Sequence, residues 1–124
     1  MKEIIFTKNA PSAIGPYSQA ILANNTLYCS GQIALDINGV LKNDNVSEET
    51  SQILKNILAV LNEVNMDFSN VVKSTIFLKN MDDFNLVNEI YEKSFSQNPP
   101  ARETVEVSRL PKDVNIEISV IASK

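Results

Sequence analysis

Apolar and polar positions alternate along this chain with two different periods, and each change of period marks an element boundary. Residues 2–6 form a short apolar run that reads as a strand. Residues 20–23 and 26–30 flank Asn24-Asn25. Asn tolerates positive φ, so this pair predicts a hairpin turn. Ile37-Asn38-Gly39-Val40 is a second turn signal. Residues 9–18 carry Pro11, Gly15 and Pro16 and read as loop. The period then becomes helical: Ile53, Leu54, Ile57, Leu58, Leu61 and Val64 predict a helix over about residues 48–64. Ser47 is its expected N-cap, with Glu48 and Glu49 at the positive end of the macrodipole. Residues 71–78 are β-branched and aromatic and read as a strand. Asp82 or Asp83 is expected to cap a second helix, with Phe84, Val87, Tyr91 and Phe95 on its apolar stripe. Pro99 and Pro100 end it. Residues 103–107 and 115–122 supply the last strands, separated by Leu110-Pro111-Lys112-Asp113.

Six strands and two amphipathic helices make a two-layer α+β domain, a mixed six-stranded sheet with both helices on one face. The length fits one domain over residues 1–124. The second sheet face is the harder problem. In residues 115–122, Ile116, Ile118 and Val120 point one way, while Glu117, Ser119 and Ile121 point the other. Neither face of residues 71–78 is wholly polar. A half-apolar face with no element left to cover it predicts self-association.

Composition narrows the chemistry. There is no histidine, and Cys29 is the only cysteine. That removes a Ser-His-Asp or Cys-His nucleophile, an internal disulfide and a multi-cysteine zinc site. Catalysis, if present, is expected to be independent of metal and to use carboxylates, Lys, Arg, Tyr, hydroxyls or backbone groups. Cys29 shares the parity of Leu27 and reads as a small buried hydrophobe. A net charge of −4 and a pI near 4.8 argue against a nucleic-acid partner. No apolar run approaches the roughly 20 residues that cross a bilayer. The first residues lack the apolar core of a signal peptide. The expectation is a soluble, cytoplasmic protein with no membrane partner.

Within these limits a few residues could carry chemistry. Arg102 follows Asn98-Pro99-Pro100-Ala101, so its guanidinium leaves a stiff backbone. It suits bidentate carboxylate recognition, or else pairs with a surface glutamate. Arg102, Thr104 and Glu106 share one strand face, which turns Glu103 the other way. Glu117 lies between Ile116 and Ile118. It is either an acid/base group in an apolar wall or a solvated carboxylate on the outer face. Asn88 interrupts the stripe between Phe84 and Tyr91 and needs a partner, structural or catalytic. Tyr17, in Gly15-Pro16-Tyr17-Ser18, either meets a ligand or anchors the loop to the core. At Ser30-Gly31-Gln32 a glycine lets backbone approach a ligand, or simply turns the chain.

Taken in order, these segments resemble the RidA (YjgF) family over residues 9–122. They are Asn9-Ala10-Pro11 with Gly15-Pro16-Tyr17-Ser18-Gln19, Ser30-Gly31-Gln32-Ile33, Asp83-Phe84 with Val87-Asn88 and Tyr91, Pro100-Ala101-Arg102, Leu110-Pro111-Lys112, and Ile116-Glu117-Ile118. The resemblance implies a chorismate-mutase-like fold, assembled as a trimeric barrel with a site at each subunit interface. It implies cofactor-free hydrolysis of 2-iminobutanoate and 2-iminopropanoate to 2-oxo acids and ammonia. Such imines are released by pyridoxal-phosphate dehydratases acting on threonine and serine. It places the family's essential arginine on Arg102 and its water-activating glutamate on Glu117. The substrate-binding set falls on Tyr17, Ser30, Gly31, Phe84, Asn88 and Thr104. Thr104 departs from the family pattern, where cysteine is frequent.

Two other functions stay open at this stage. One is a non-enzymatic binder of 2-oxo acids or related small carboxylates. The other is an RNA-cleaving translation inhibitor, which the missing histidine and the negative charge disfavour.

Overall fold

Asn24 and Asn25 take left-handed φ values of 50° and 64°, the conformation a two-residue turn between twisted strands demands. They join β2 (Ala20–Ala23) to β3 (Thr26–Cys29) as the expected hairpin, and β1 (Glu3–Ile5) pairs antiparallel with β2. The structure, a computed structural model, describes all 124 residues. The remaining elements are α1 (Val46–Glu63), β4 (Val71–Leu78), α2 (Phe84–Ser94), β5 (Ala101–Glu106) and β6 (Ile116–Ser123). The six strands form one sheet in the order β1-β2-β3-β6-β4-β5. Only β4 and β5 run parallel, and α2 is the crossover that parallel neighbours require. The two-layer α+β arrangement read from the pattern is therefore the one observed.

Both helices cover the same sheet face. Ile53, Ile57 and Leu61 of α1 are fully buried with Ile76 and Leu78 of β4 and Ile116 and Ile118 of β6. Each such side chain contributes roughly 1.5–3 kcal/mol. On α2, Val87 and Tyr91 are buried and Phe84 is half-buried, while Phe95 is buried just past its end. The strict alternation of β6 sends Glu117, Ser119 and Ile121 to the face without helices. Register continues that open face through Ile4, Ile21, Tyr28 and Ile121. Ile4, Tyr28, Val72 and Val105 are exposed. The half-apolar second face is real, and nothing in this chain covers it.

The cap of α1 differs from expectation. Asn45, not Ser47, caps α1, its Oδ1 accepting from Glu48 N at 2.8 Å. Asparagine caps as well as serine, and starting there adds two residues to the helix. Asp83 holds the N-cap position of α2, as one of the two expected residues, but its side chain makes no capping hydrogen bond. A single 3-10 turn, Met81–Asp83, precedes α2, and Asn80 caps that turn by accepting from Asp82 N at 2.9 Å. The strand limits also shift: β5 starts at Ala101, so Arg102 lies within it, and β3 stops at Cys29 before Ser30.

Glu49 does more than face a helix dipole. It is fully buried, and its carboxylate accepts from Asn115 N (2.9 Å), Asn115 Nδ2 (2.8 Å) and Ile116 N (3.2 Å). It ties the first turn of α1 to the start of β6, one residue before Glu117.

Candidate functional site

Glu117 sits on the open face, in register with Phe77 of β4. Past Cys29 the chain leaves the ladder through Ser30-Gly31 and rejoins it at Gln32. There Gln32 N donates to Ile118 O at 2.8 Å and Ile118 N donates to Gln32 O at 3.1 Å. This detour carries Gly31 across the Glu117 side chain. A Cβ on Gly31 would lie 2.8 Å from Glu117 Cδ, so the position admits only glycine without movement. Glu117 is half-buried, with no hydrogen bond or ion pair of its own, and burial pushes its carboxyl above the usual range. Glu117 is thus on the outer face, but within a cavity and not fully solvated.

That cavity, of 540 Å³, is lined by Ile14, Tyr17, Ser30, Gly31, Lys112 and Glu117 among others. Buried Gln19 holds the loop over it. Its Oε1 accepts from Thr7 N at 2.7 Å, and its Nε2 donates to Thr7 O at 3.1 Å and Pro11 O at 2.9 Å. Ser30 Oγ donates to Ser18 O at 2.6 Å. Tyr17 is therefore not needed as the core anchor, and with 54% of its surface exposed it is not one. It presents its ring to the cavity beside Gly15, whose φ of 124° only glycine takes readily.

Gln19, Gln32 and Lys112 were not singled out as site residues from the sequence. Lys112 was traceable, since it stands in the Leu110-Pro111-Lys112 segment, and its φ of 56° marks an unusual backbone. Buried Gln19 and Gln32 act mainly through geometry that a linear reading does not reveal.

Arg102 belongs to a second cluster. Ser74 pairs with Arg102 on one side and with buried Val120 on the other, so Arg102 is on the helix face. Its Nη1 donates to Asn88 Oδ1 at 2.8 Å, and its guanidinium carbon lies 5.0 Å from the Tyr91 ring centre and 5.5 Å from that of Phe84. Residues 84, 88 and 91 share one face of α2, so a single helix stripe frames the cation. Tyr91 completes the frame by donating its hydroxyl to Ser74 Oγ at 2.9 Å.

No carboxylate pairs with Arg102. The ion pairs of the chain are Lys42–Asp36, Lys73–Glu103 and Lys79–Asp113. Glu103, turned to the open face as parity required, takes Lys73 at 3.0 Å and the Thr75 hydroxyl at 2.6 Å. The surface ion pair weighed for Arg102 is thus absent, and Asn88 has the arginine as its partner.

A guanidinium so framed, with no carboxylate partner, has the free donors that could hold an anion. Phe84, Arg102 and Thr104 line one concavity with Met81, Asp82 and Asn85, and Asn88 and Arg102 line another. The eight candidate residues therefore fall into two groups. Tyr17, Ser30, Gly31 and Glu117 gather on the open face, whereas Phe84, Asn88, Arg102 and Thr104 gather on the helix face. Within one chain the sheet lies between them. Cys29 takes no part: its side chain packs against the core, and burial pushes its thiol up to about 12.

Comparison with known proteins fits this geometry. The family described as Endoribonuclease L-PSP matches residues 7–124. A RutC family protein of Pyrococcus horikoshii is 50% identical, covering 100% of this chain and 99% of its own length. The human 2-iminobutanoate/2-iminopropanoate deaminase is 48% identical, covering 98% of this chain and 90% of its own. Among solved structures, Escherichia coli TdcF with bound serine superposes with a TM-score of 0.94 at 34% identity, covering 98% of each chain. With its family match spanning nearly the whole chain and relatives at about half identity, this protein belongs to the RidA (YjgF) family.

Proposed function

We propose that this protein is a cofactor-independent deaminase that hydrolyses reactive 2-imino acids and their enamine tautomers, 2-iminobutanoate and 2-iminopropanoate among them, to 2-oxo acids and ammonia. The observation that carries this reading is the Arg102 guanidinium, fixed by Asn88, Phe84 and Tyr91 yet without a carboxylate of its own. It suits a small carboxylate. The human deaminase and the serine-bound E. coli protein point to small ligands that bear a carboxylate.

Arg102 holds the carboxylate and fixes C2 for attack. Glu117, with a carboxyl raised by burial, takes a proton from water as the oxygen adds to the C=N carbon and passes it to the nitrogen, then takes the proton of the new hydroxyl and delivers it to the departing amine. The tetrahedral carbon then expels ammonia and leaves the 2-oxo acid. Because Arg102 and Glu117 lie on opposite sheet faces, one chain cannot apply both to a small substrate. The uncovered half-apolar face offers the means of bringing them together. In the proposed homotrimer, the Arg102 cluster of one subunit meets the Glu117 cavity of the next.

The test couples a threonine dehydratase to this protein and follows 2-oxobutanoate formation. Accelerated release, unchanged by EDTA, is the expected result. Binding of 2-oxobutanoate without acceleration would identify a carboxylate binder instead. RNA cleavage without imine turnover would favour the activity named in the family description. For the shared site, inactive Arg102→Ala and Tyr17→Ala chains are mixed and allowed to exchange. Recovered activity supports a site built from two chains, and no recovery despite proven exchange refutes it.

A further inference from the structure

No side-chain partner holds the Glu117 carboxyl, so its position comes from its own backbone and from Gly31 passing over it. That backbone lies in a thinned part of the sheet. β3 ends at Cys29, and its pairing with β6 runs only from Tyr28↔Ile121 to Thr26↔Ser123. The detour through Ser30-Gly31 leaves no strand beside the first half of β6. One backbone bridge restores contact, where Gln32 and Ile118 exchange hydrogen bonds of 2.8 and 3.1 Å. Hydrogen bonding along a strand alternates sides, so Ile116 turns its N–H the same way as Ile118. No strand stands there to accept it.

Glu49 fills that gap. Its Oε2 accepts from Ile116 N at 3.2 Å and from Asn115 N at 2.9 Å, while its Oε1 accepts from Asn115 Nδ2 at 2.8 Å. The group is fully buried, a costly place without such donors. Ile53 and Ile57 hold α1 in the core, so the carboxylate leaves a rigid support. The two residues that flank Glu117 are therefore clamped on one side, Ile116 by Glu49 and Ile118 by Gln32. On the other side Glu117 pairs with Phe77.

Building on the deaminase reading, we propose that Glu49 is a positioning residue for Glu117: it replaces the missing strand and fixes the stretch of β6 from which the reacting carboxyl projects. Glu49 lies in the core and touches no substrate. It reaches the reaction only through the place it gives Glu117.

Glu49→Asp tests this with the charge kept. The shorter side chain draws the carboxylate away from Ile116 N and leaves the apolar contacts of α1 intact. Imine hydrolysis per folded site should fall about 10- to 100-fold in kcat, the scale of a displacement near 1 Å. Binding of 2-oxobutanoate, an acid assigned to Arg102, should stay close to wild type. Glu49→Gln should recover most of kcat. Its amide oxygen can accept both backbone N–H groups, and the Asn115 amide can turn to meet the new NH2.

Titration of Glu117 by carbon NMR gives a readout apart from turnover. Tyr17 and Lys112 are the other titratable groups lining its cavity, and no variant touches them. A loosened β6 admits water beside Glu117. In Glu49→Asp its midpoint should therefore drop toward the ordinary carboxylate range, and the acid limb of the pH–rate profile should move with it. Should Glu49→Asp fail to fold, Asn115→Ala carries the test. It removes only the donor to Oε1, so smaller changes in the same directions are expected, and none would count against the proposal.

A Glu49→Asp protein that melts lower but keeps the wild-type kcat and Glu117 midpoint overturns the proposal, since Glu49 then serves stability alone. Equal losses of kcat and of 2-oxobutanoate affinity overturn it as well, because the damage is then general. Wild-type protein without imine turnover overturns the deaminase reading, and the Glu117 midpoint still decides the role of Glu49.

Discussion

The two faces of the sheet solve different problems. On the helix face, Arg102 rests on finished contacts: an amide acceptor and two rings, one of them the hydroxyl-anchored Tyr91, hold it while its charge stays uncompensated. On the open face, Glu117 has no partner at all, and the surrounding loops provide its position and its burial. The first is a cation stiffened by secondary structure. The second is a titratable group tuned by desolvation. A carboxylate held by too many donors would ionise early and lose basicity, so leaving Glu117 bare suits proton transfer.

The comparison can be tested from either side, beginning with the greatest effect. Glu117→Gln removes proton transfer while keeping size, and kcat for imine hydrolysis should fall by about 10²- to 10⁴-fold. The same variant reports the desolvation. With the folded carboxyl raised, the native state keeps its proton to higher pH than the unfolded chain does. Stability therefore declines as pH rises through that window, and the cost is fully present above it. Thermal melts should show Glu117→Gln stabilised relative to wild type at pH 7 and nearly unchanged near pH 4. Equal shifts at both pH values would refute burial as the cause.

Arg102→Ala should lower kcat/KM by about 10³-fold with the circular dichroism spectrum unchanged. Arg102→Lys should recover little, since a point charge cannot bridge Asn88 and a carboxylate as a planar fork can. Gly31→Ala tests the loop side. Its Cβ would displace the Glu117 carboxylate or the backbone beside it, and a shift of about 1 Å should cost on the order of 10²-fold in kcat. Retained activity would show that Glu117 needs no fixed placement. The smallest effect belongs to Cys29. Cys29→Ala should lower stability by about 1 kcal/mol and leave turnover unchanged, because the thiol packs against the core and stays protonated.

Most of the fold was legible because it rests on local periodicity. The helical spacing of Ile53, Leu54, Ile57 and Leu61, the alternation through Ile116, Ile118 and Val120, and the Asn24-Asn25 turn each impose one local geometry. The caps were less so. Several residues near a helix start have capping side chains, and only backbone geometry selects Asn45 over Ser47 and leaves Asp83 at the N-cap of α2 without a capping bond. Glu49 illustrates the same limit: its place in the first turn was visible, but its bond to the start of β6 spans 66 positions of chain.

By itself, then, the sequence determined which residue types were available for chemistry, which elements would form, and which side chains would share a strand or helix face. Those properties follow from side-chain identity and from periods of two and 3.6 residues. Only the tertiary structure decided that Arg102 has no carboxylate, that Gly31 passes over Glu117, and that the two candidate groups are on opposite sides of the sheet. These depend on strand order and register, which bring together residues far apart in the chain, and no local pattern encodes which neighbour a strand will find.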